Sequence, residues 1–293
     1  MKALIIAEHA AAAAELVAGA RTMADEVVAI SFGGAYDCGA DKVLNITVPE
    51  GLTVDSAVET VNAAFDAENP EVVLVEACRH MKVIAGSLAF HADTAVITDV
   101  TAFEAEGAKS MYFGGIAERV QKAAGNVAIY TVGAGVFDGA EGANGSVAEQ
   151  EWVAPARPVK VVSSQVIEKS GVNLFKADVV VAAGRGFAEE SQLSLANDLC
   201  DKLGAGLACS RPLTEGVNWL PTERYVGVSG LMLTPKVYIA AGISGQMQHM
   251  VGCNRSGAIF AINKDKNAPI FKQCDFGLIG DIKDVLPAIT AAL

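Results

Sequence analysis

In the stretch VYIAAGISGQMQHMVGC (237–253), an apolar run stops at Gly242, and Ser244, Gly245, Gln246, Gln248 and His249 follow at once. Two glycines let a backbone approach a ligand closely. Ser244, with the free N–H groups at the start of a helix from about residue 245, would form an anion site carrying about half a positive charge. Gln248 and His249, in the first turn of that helix, would reach polar ligand atoms. The same spacing also suits a capped helix with a histidine satisfied in the core.

Three other apolar runs in this half end in comparable loops: Gly184-Arg185-Gly186, Ser210-Arg211-Pro212 and Asn263-Lys264-Asp265. A single arginine at such a place reads as one half of a surface ion pair. Together the loops supply donors without a paired acidic dyad, which favours a large anionic ligand. Ligands of open α/β sheets collect beyond the carboxyl ends of the strands. The chain has no G-x-S-x-G elbow, no phosphate-loop lysine motif and no triad tied to recognisable turns. Redox chemistry here would therefore belong to a cofactor. TVGAGVFDG (131–139) also has a G-x-G after an apolar run, but AEGANGS follows where a dinucleotide fingerprint needs a helix. It reads as a flexible connection.

The elements that would position these loops alternate between strand and helix patterns. KALIIA (2–7), a helix through about residue 24 and EVVAISF (26–32) open the chain; VVLVEA (72–77), a helix over 79–92 and AVITDV (95–100) follow. SMYFGG and NVAIYTV, within 110–132, resemble antiparallel strands closing that sheet. The second half repeats the alternation, with strands at 178–183, 206–209, 237–241 and 257–262 and helices at 188–203, from about 245, and at 281–292. Crossover units of this kind imply parallel pairing. The expected fold is α/β with two doubly wound domains, residues 1–165 and 175–293, whose boundary falls within 157–175.

Bulk properties narrow the function. The 293 residues can bury a large core, and 52 % are hydrophobic while only 6 % are aromatic. A net charge of −12 argues against nucleic acid as a partner. No segment reaches the ~20 apolar residues of a membrane span. The opening MKALIIAEH reads as a strand rather than a signal or transit peptide, so a cytoplasmic location is expected. Six cysteines and four histidines are scattered without a C-x-x-C pair. They suggest reduced, mostly buried thiols and no metal cluster.

The run from Val237 to Ile289 resembles the α subunit of electron transfer flavoproteins (the ETF-α/FixB family). The G-I-S-G-x-x-Q-H loop, the glycine three residues after His249, A-I-N-K-D, A-P-I-F and D-x-G-x-x-x-D stand in family order. Upstream, VVVAAGRGF, GAGLACSRP and VGVSG match further family elements. AEH near the start, ITDV (97–100) and YFGG carry a thinner match through the first half.

The resemblance implies a parallel-sheet FAD-binding domain at the C-terminal end and a heterodimer with a β subunit contacted by the first domain. Carried over, Arg185, Ser210, Arg211, Val226, Gly227, Val228, Ser229, Ser244, Gly245, Gln246, Met247, Gln248, His249, Asn263, Asp281 and Ile282 would bind FAD, with no catalytic residue and no metal. Arg211 would lie over the isoalloxazine near N5, Ser229 would bond near N5 and His249 would face O2. Ser244 through His249, Asn263 and Asp281 would serve the ribityl, pyrophosphate and adenosine end. Such a chain would be an electron carrier without its own organic substrate. It would pass electrons from a dehydrogenase, such as an acyl-CoA dehydrogenase, to a downstream acceptor. The sequence departs from the family at Val228 and Leu231, where polar groups are usual, and at Met247. An NAD-binding enzyme domain and a structural subunit without FAD are the competing expectations.

Overall fold

The computed structural model describes residues 1–139, 142–165 and 172–293. By contacts the chain divides into two compact units, Met1–Tyr112 with Glu118–Val166, and Phe113–Ala117 with Ile167–Leu293. Residues 166–171, inside the expected boundary region, and residues 140–141 of the AEGANGS stretch lie outside the described residues.

In the first unit, β1 (Lys2–Ile6), α1 (Ala10–Ala20), β2 (Glu26–Phe32), β3 (Lys42–Ile46), α2 (Val58–Glu68), β4 (Val72–Glu76) and α3 (Arg79–His91) precede β5 (Val96–Glu104), β6 (Gly107–Tyr112), β7 (Ala117–Gln121), β8 (Ala128–Val132) and β9 (Ser146–Glu149). The strands form one nine-stranded sheet in the order β7-β6-β5-β8-β4-β1-β2-β3-β9. Side chains alternate across it. Leu4 and Ile6 of β1 enter the core under α2 and α3, whereas Ala3 and Ile5 enter the core under α1. Burial on both faces is what a near-continuous apolar strand requires.

The expectation of antiparallel closure holds for β6, which pairs antiparallel with β5, and fails for β8. β8 inserts between β4 and β5 and runs parallel to both. Its apolar run is short enough to suit either direction, and only the crossover that delivers it decides. The G-x-G after β8 opens no helix within 133–139; instead, Glu15 accepts from the Val136 and Phe137 amides at 2.8 and 3.2 Å.

The second unit contains β10 (Val179–Ala183), α4 (Leu193–Leu203), β11 (Gly206–Cys209), β12 (Val237–Ala241), α5 (Met247–Met250), β13 (Ala258–Asn263), β14 (Phe276–Ile279) and α6 (Ile282–Ala292). These five strands form a wholly parallel sheet in the order β11-β10-β12-β13-β14. Val181 and Ala183 meet α4 and α6 on one face, and Val180 and Ala182 enter the core on the other. That second face is closed mainly by irregular chain, including Met250, Cys253 and Ile270.

One expectation about this half changes. The helix expected from about residue 245 is a single turn, Met247–Met250, capped by Gln246 without a side-chain bond. Gly252 follows almost at once, and with so few aligned peptides no macrodipole accumulates. Ser244 does not cap it.

All six cysteines are free, and Cys38, Cys200, Cys209 and Cys253 are buried. Burial pushes the Cys200, Cys209 and Cys253 thiols up to about 12, so they pack as small apolar groups rather than as nucleophiles.

Candidate functional site

The strand order of the second unit fixes where a ligand would lie. β11 follows β10 on one side, and β12 then returns to the other, so the order of strand addition reverses between β10 and β12. In an open parallel sheet the crevice beyond the strand tips at this reversal is the ligand position. Gly184-Arg185-Gly186 leaves β10 there, and Gly242-Ile243-Ser244-Gly245 leaves β12.

The glycines of these loops serve loop packing rather than ligand approach. A Cβ on Gly186 would stand 2.5 Å from the Gly242 Cα, and one on Gly184 would stand 2.3 Å from the Gly242 oxygen. A Cβ on Gly245, whose φ is +81°, would stand 2.4 Å from the Ile270 Cα. On the Cβ side of Gly242 and Gly245 lies protein backbone, so close loop packing itself requires glycine at both positions. We expect Gly186→Ala to separate the two loops and cost about 1–3 kcal/mol, read as a lower denaturant midpoint at unchanged slope.

Above the loops lies a cavity of about 300 Å³. Its wall brings together Arg185, Ser210, Arg211, Val226, Val228, Ser229, Ser244, Gln246, Gln248 and His249 from the expected set. Pro212, Tyr225 and Ile243 also line it and escaped the sequence reading. Tyr225 follows a run without strand or helix periodicity, so only its pairing beside Cys209 brings it to the cavity. The volume suits a flat ring system and is too small for a whole dinucleotide, whose remainder would extend along the open loops.

The remaining expected residues stand outside this wall. Asn263 Nδ2 donates to the Ile243 oxygen at 2.9 Å, and its Oδ1 accepts the Asp265 amide at 2.9 Å. Asp281 caps α6 by accepting the Lys283 amide at 3.0 Å, and Ile282 is buried beneath it. Gly227 accepts the Gly230 amide within the turn Tyr225–Leu231, and Met247 is part-exposed at the head of α5. That turn is pinned to α5 by the Val228 amide, which donates to the Gln248 oxygen at 2.8 Å. Leu231 closes the turn by donating to the Tyr225 oxygen and packs against the second unit's core. Val228 presents its side chain to the cavity, so the departure from a polar residue there gives the wall an apolar patch.

Hydrogen-bond accounting shows what the site lacks. The carbonyls of Gly242, Ile243, Ser244 and Gly245 all accept from the protein: from the Gly186 amide, Asn263 Nδ2, the Ile270 amide and Gln273 Nε2 at 2.9–3.0 Å. The amides of Ser244, Gly245 and Gln246 donate to no described residue. Arg185 is exposed and ion-paired with no described carboxylate, so it is not the surface bridge that one arginine would suggest. Arg211 is held by Glu215, to which its Nε donates at 2.6 Å. That hydrogen bond raises the Arg211 pKa further and fixes the cation at the cavity edge.

His249 supplies another spare donor. Burial pushes its imidazole down to about 4, against a smaller upward pull from the Val226 carbonyl. The ring is therefore neutral, not the cation that would offset charge on a ligand. Tyr238, wholly buried, lies 3.0 Å from Nε2 through its hydroxyl. Where the phenol donates to Nε2, the proton of the neutral imidazole sits on Nδ1. Nδ1 is buried and makes no hydrogen bond of good geometry among the described residues, the ring being only weakly engaged by the Val226 carbonyl. A buried donor left unpaired costs about 1–3 kcal/mol, which a ligand acceptor would recover. The unspent groups at this crevice are thus donors, beside an apolar wall of Val226, Val228, Ile243 and Tyr225. An aromatic ring edged with acceptors and joined to phosphate fits that set.

Comparisons with known proteins agree with this geometry. Residues 173–254 match the model of the electron transfer flavoprotein FAD-binding domain, and residues 3–157 match that of the electron transfer flavoprotein domain. Protein FixB of Escherichia coli O157:H7 is 39% identical over 293 residues, covering 95% of this chain and 94% of the relative. Protein FixB of Shigella flexneri is also 39% identical, with the same coverage of both chains.

Proposed function

Since the chain belongs to the electron transfer flavoprotein α-subunit family, we propose that its second unit holds FAD at the β10/β12 crevice. Paired with a β subunit, the chain then carries electrons from a dehydrogenase, such as an acyl-CoA dehydrogenase, to a downstream acceptor. The observation that carries this reading is the spare donor set: the Ser244–Gln246 amides and His249 Nδ1, all at one switch point. FAD, when bound, supplies the capacity to take up and release electrons singly.

The residues of this chain do the rest. Arg185 and the three loop amides bind phosphate, the amides as fixed partial charges whose carbonyl ends are already tied down. His249 donates from Nδ1 to a ring acceptor, and Tyr238 holds it in the tautomer that can do so. Arg211, steadied by Glu215, places a positive charge where the reduced ring gains negative charge. Val226, Val228 and Ile243 exclude water from one ring face. Asn263 acts through the Ile243 loop it braces, while Asp281 caps α6. The described cavity wall carries no carboxylate and no thiol, which supports a carrier over an enzyme with its own substrate.

Among the described residues no helix is long and apolar enough to cross a membrane. The proposed carrier works as a cytoplasmic heterodimer. Co-production with a β-like partner tests the reading: the complex is expected to purify yellow, with one FAD released per chain and absorption near ~450 nm. A colourless complex that stays so after incubation with FAD overturns it.

A further inference from the structure

The first unit has a switch point of its own. β2 and β3 extend the sheet on one side of β1, and β4 returns to the other. The tips of β1 and β4 bring together residues far apart in sequence. Ala7, Glu8 and His9 leave β1, while Glu76 ends β4 and Cys78 precedes α3. This is the position where nucleotides lodge in such sheets, yet the side chains that fill it would repel phosphate.

From these residues we propose a binding site for a zinc-type divalent transition metal, ligated by Glu8, His9 and Cys78. One ligand atom from each lies within 4.8 Å of the other two. Cys78 Sγ is 3.3 Å from Glu8 Oε2, and the His80 ring takes the two Glu8 oxygens at 2.9 and 3.0 Å. Zinc ligands in a tetrahedral shell stand roughly 2.0–2.3 Å from the ion, so small side-chain movements close the shell.

The surroundings are built as outer support. Glu76 Oε1 meets His9 Nδ1 at 2.6 Å, and its other oxygen accepts the Glu8 and His9 amides at 2.8 and 3.1 Å. With Nδ1 protonated toward Glu76, the lone pair left for a metal is that of Nε2, which the exposed His9 side chain must turn toward Glu8 and Cys78. A carboxylate behind a histidine is the usual support of a zinc ligand. His80 holds Glu8 in the same manner. Among the described residues, the ion pairs of Glu8 and Glu76 are with these histidines alone, so no lysine or arginine occupies the place of a cation. A thiolate, an imidazole and a carboxylate together select zinc or its cobalt surrogate over magnesium or calcium. The cluster is hidden in the sequence, because Glu8 and His9 meet Cys78 only through β1–β4 pairing.

The test is titration of the metal-stripped full chain, in its purified complex, with Co²⁺ and then Zn²⁺, followed by difference spectra and equilibrium dialysis. One tight Co²⁺ per chain is expected, with a near-ultraviolet thiolate charge-transfer band that Zn²⁺ displaces. Cys78→Ser should abolish the band. Glu8→Gln, and Glu76→Gln behind His9, should weaken binding about 10–100-fold at unchanged circular dichroism. Cys274→Ser, in the other unit, should change nothing. Absence of a stoichiometric metal, or a band that survives Cys78→Ser, overturns the proposal, and so does a band lost in Cys274→Ser. Should Cys78→Ser not fold, the wild-type titration and Glu76→Gln decide alone.

Discussion

With FAD held as proposed, replacing Arg211 with alanine is expected to lower the flavin midpoint potential by roughly tens of millivolts, and Glu215→Gln to raise it. The opposite signs come from one ion pair. Arg211 Nε donates to Glu215 at 2.6 Å, so the cation at the cavity edge is partly neutralised by its anchor. Reduction places negative charge on the flavin, and a nearby cation favours that state. Removing the cation costs the reduced state its support, whereas removing the carboxylate leaves more net positive charge. Both side chains are largely exposed, at 60% and 47%, so salt screens the effect. Potentiometric titration of the two variants at low and high ionic strength measures it. Arg211→Lys, which keeps the charge, should recover most of the potential but less of the FAD affinity, because it loses the planar fork. Identical potentials in Arg211→Ala and wild type would remove this residue from the role.

Acid is expected to destabilise the flavin-free protein through His249 in a defined window. Its folded-state pKa is pushed down to about 4 from an ordinary value of 6.5. Between these values the unfolded chain takes up a proton that the folded chain refuses, so protons favour unfolding as the pH falls. The stability associated with the neutral ring is whole above about pH 6.5. It is lost through the window and falls no further below about pH 4, a total of about 3 kcal/mol. Carboxylates titrate in the lower part of the same range, so the comparison is with His249→Gln, which cannot be protonated there. Denaturant melts from pH 7.5 to 4 should show a steeper decline for wild type than for the variant. Parallel declines would mean that His249 is not buried as a neutral ring. Tyr238→Phe provides a further check: it frees Nε2 and should weaken FAD binding without altering the apolar core.

Much of this was legible in the sequence, for reasons that can be named. The runs VVVAA and VYIAA are too apolar to be half-exposed, so they announced central parallel strands. The loops after them stood out because Arg185, Ser210, Arg211 and His249 gather hydrogen-bond donors at several strand ends at once. What stayed hidden depended on pairing. IYTV could not tell whether it would run parallel or antiparallel. The short β3 and β9 were too weakly patterned to separate from loops. Gly242 looked like room for a ligand, but its empty side is filled by Gly186, a contact that exists only once β10 and β12 lie side by side. The helix after Gly245 was overestimated, because a polar stretch ending in GC offers a start signal without enough residues to propagate. Tyr238 and His249 lie only eleven residues apart, yet the bond that sets the histidine tautomer required both to be buried.

The structure of the heterodimer with its cofactor, determined at a resolution that shows hydrogen-bond geometry, tests the central claim most directly. The account predicts FAD across the β10/β12 crevice, with phosphate oxygens within hydrogen-bonding distance of the Ser244–Gln246 amides and a ring acceptor on His249 Nδ1. FAD bound elsewhere, or those four donors left without a ligand acceptor in the loaded complex, would contradict it.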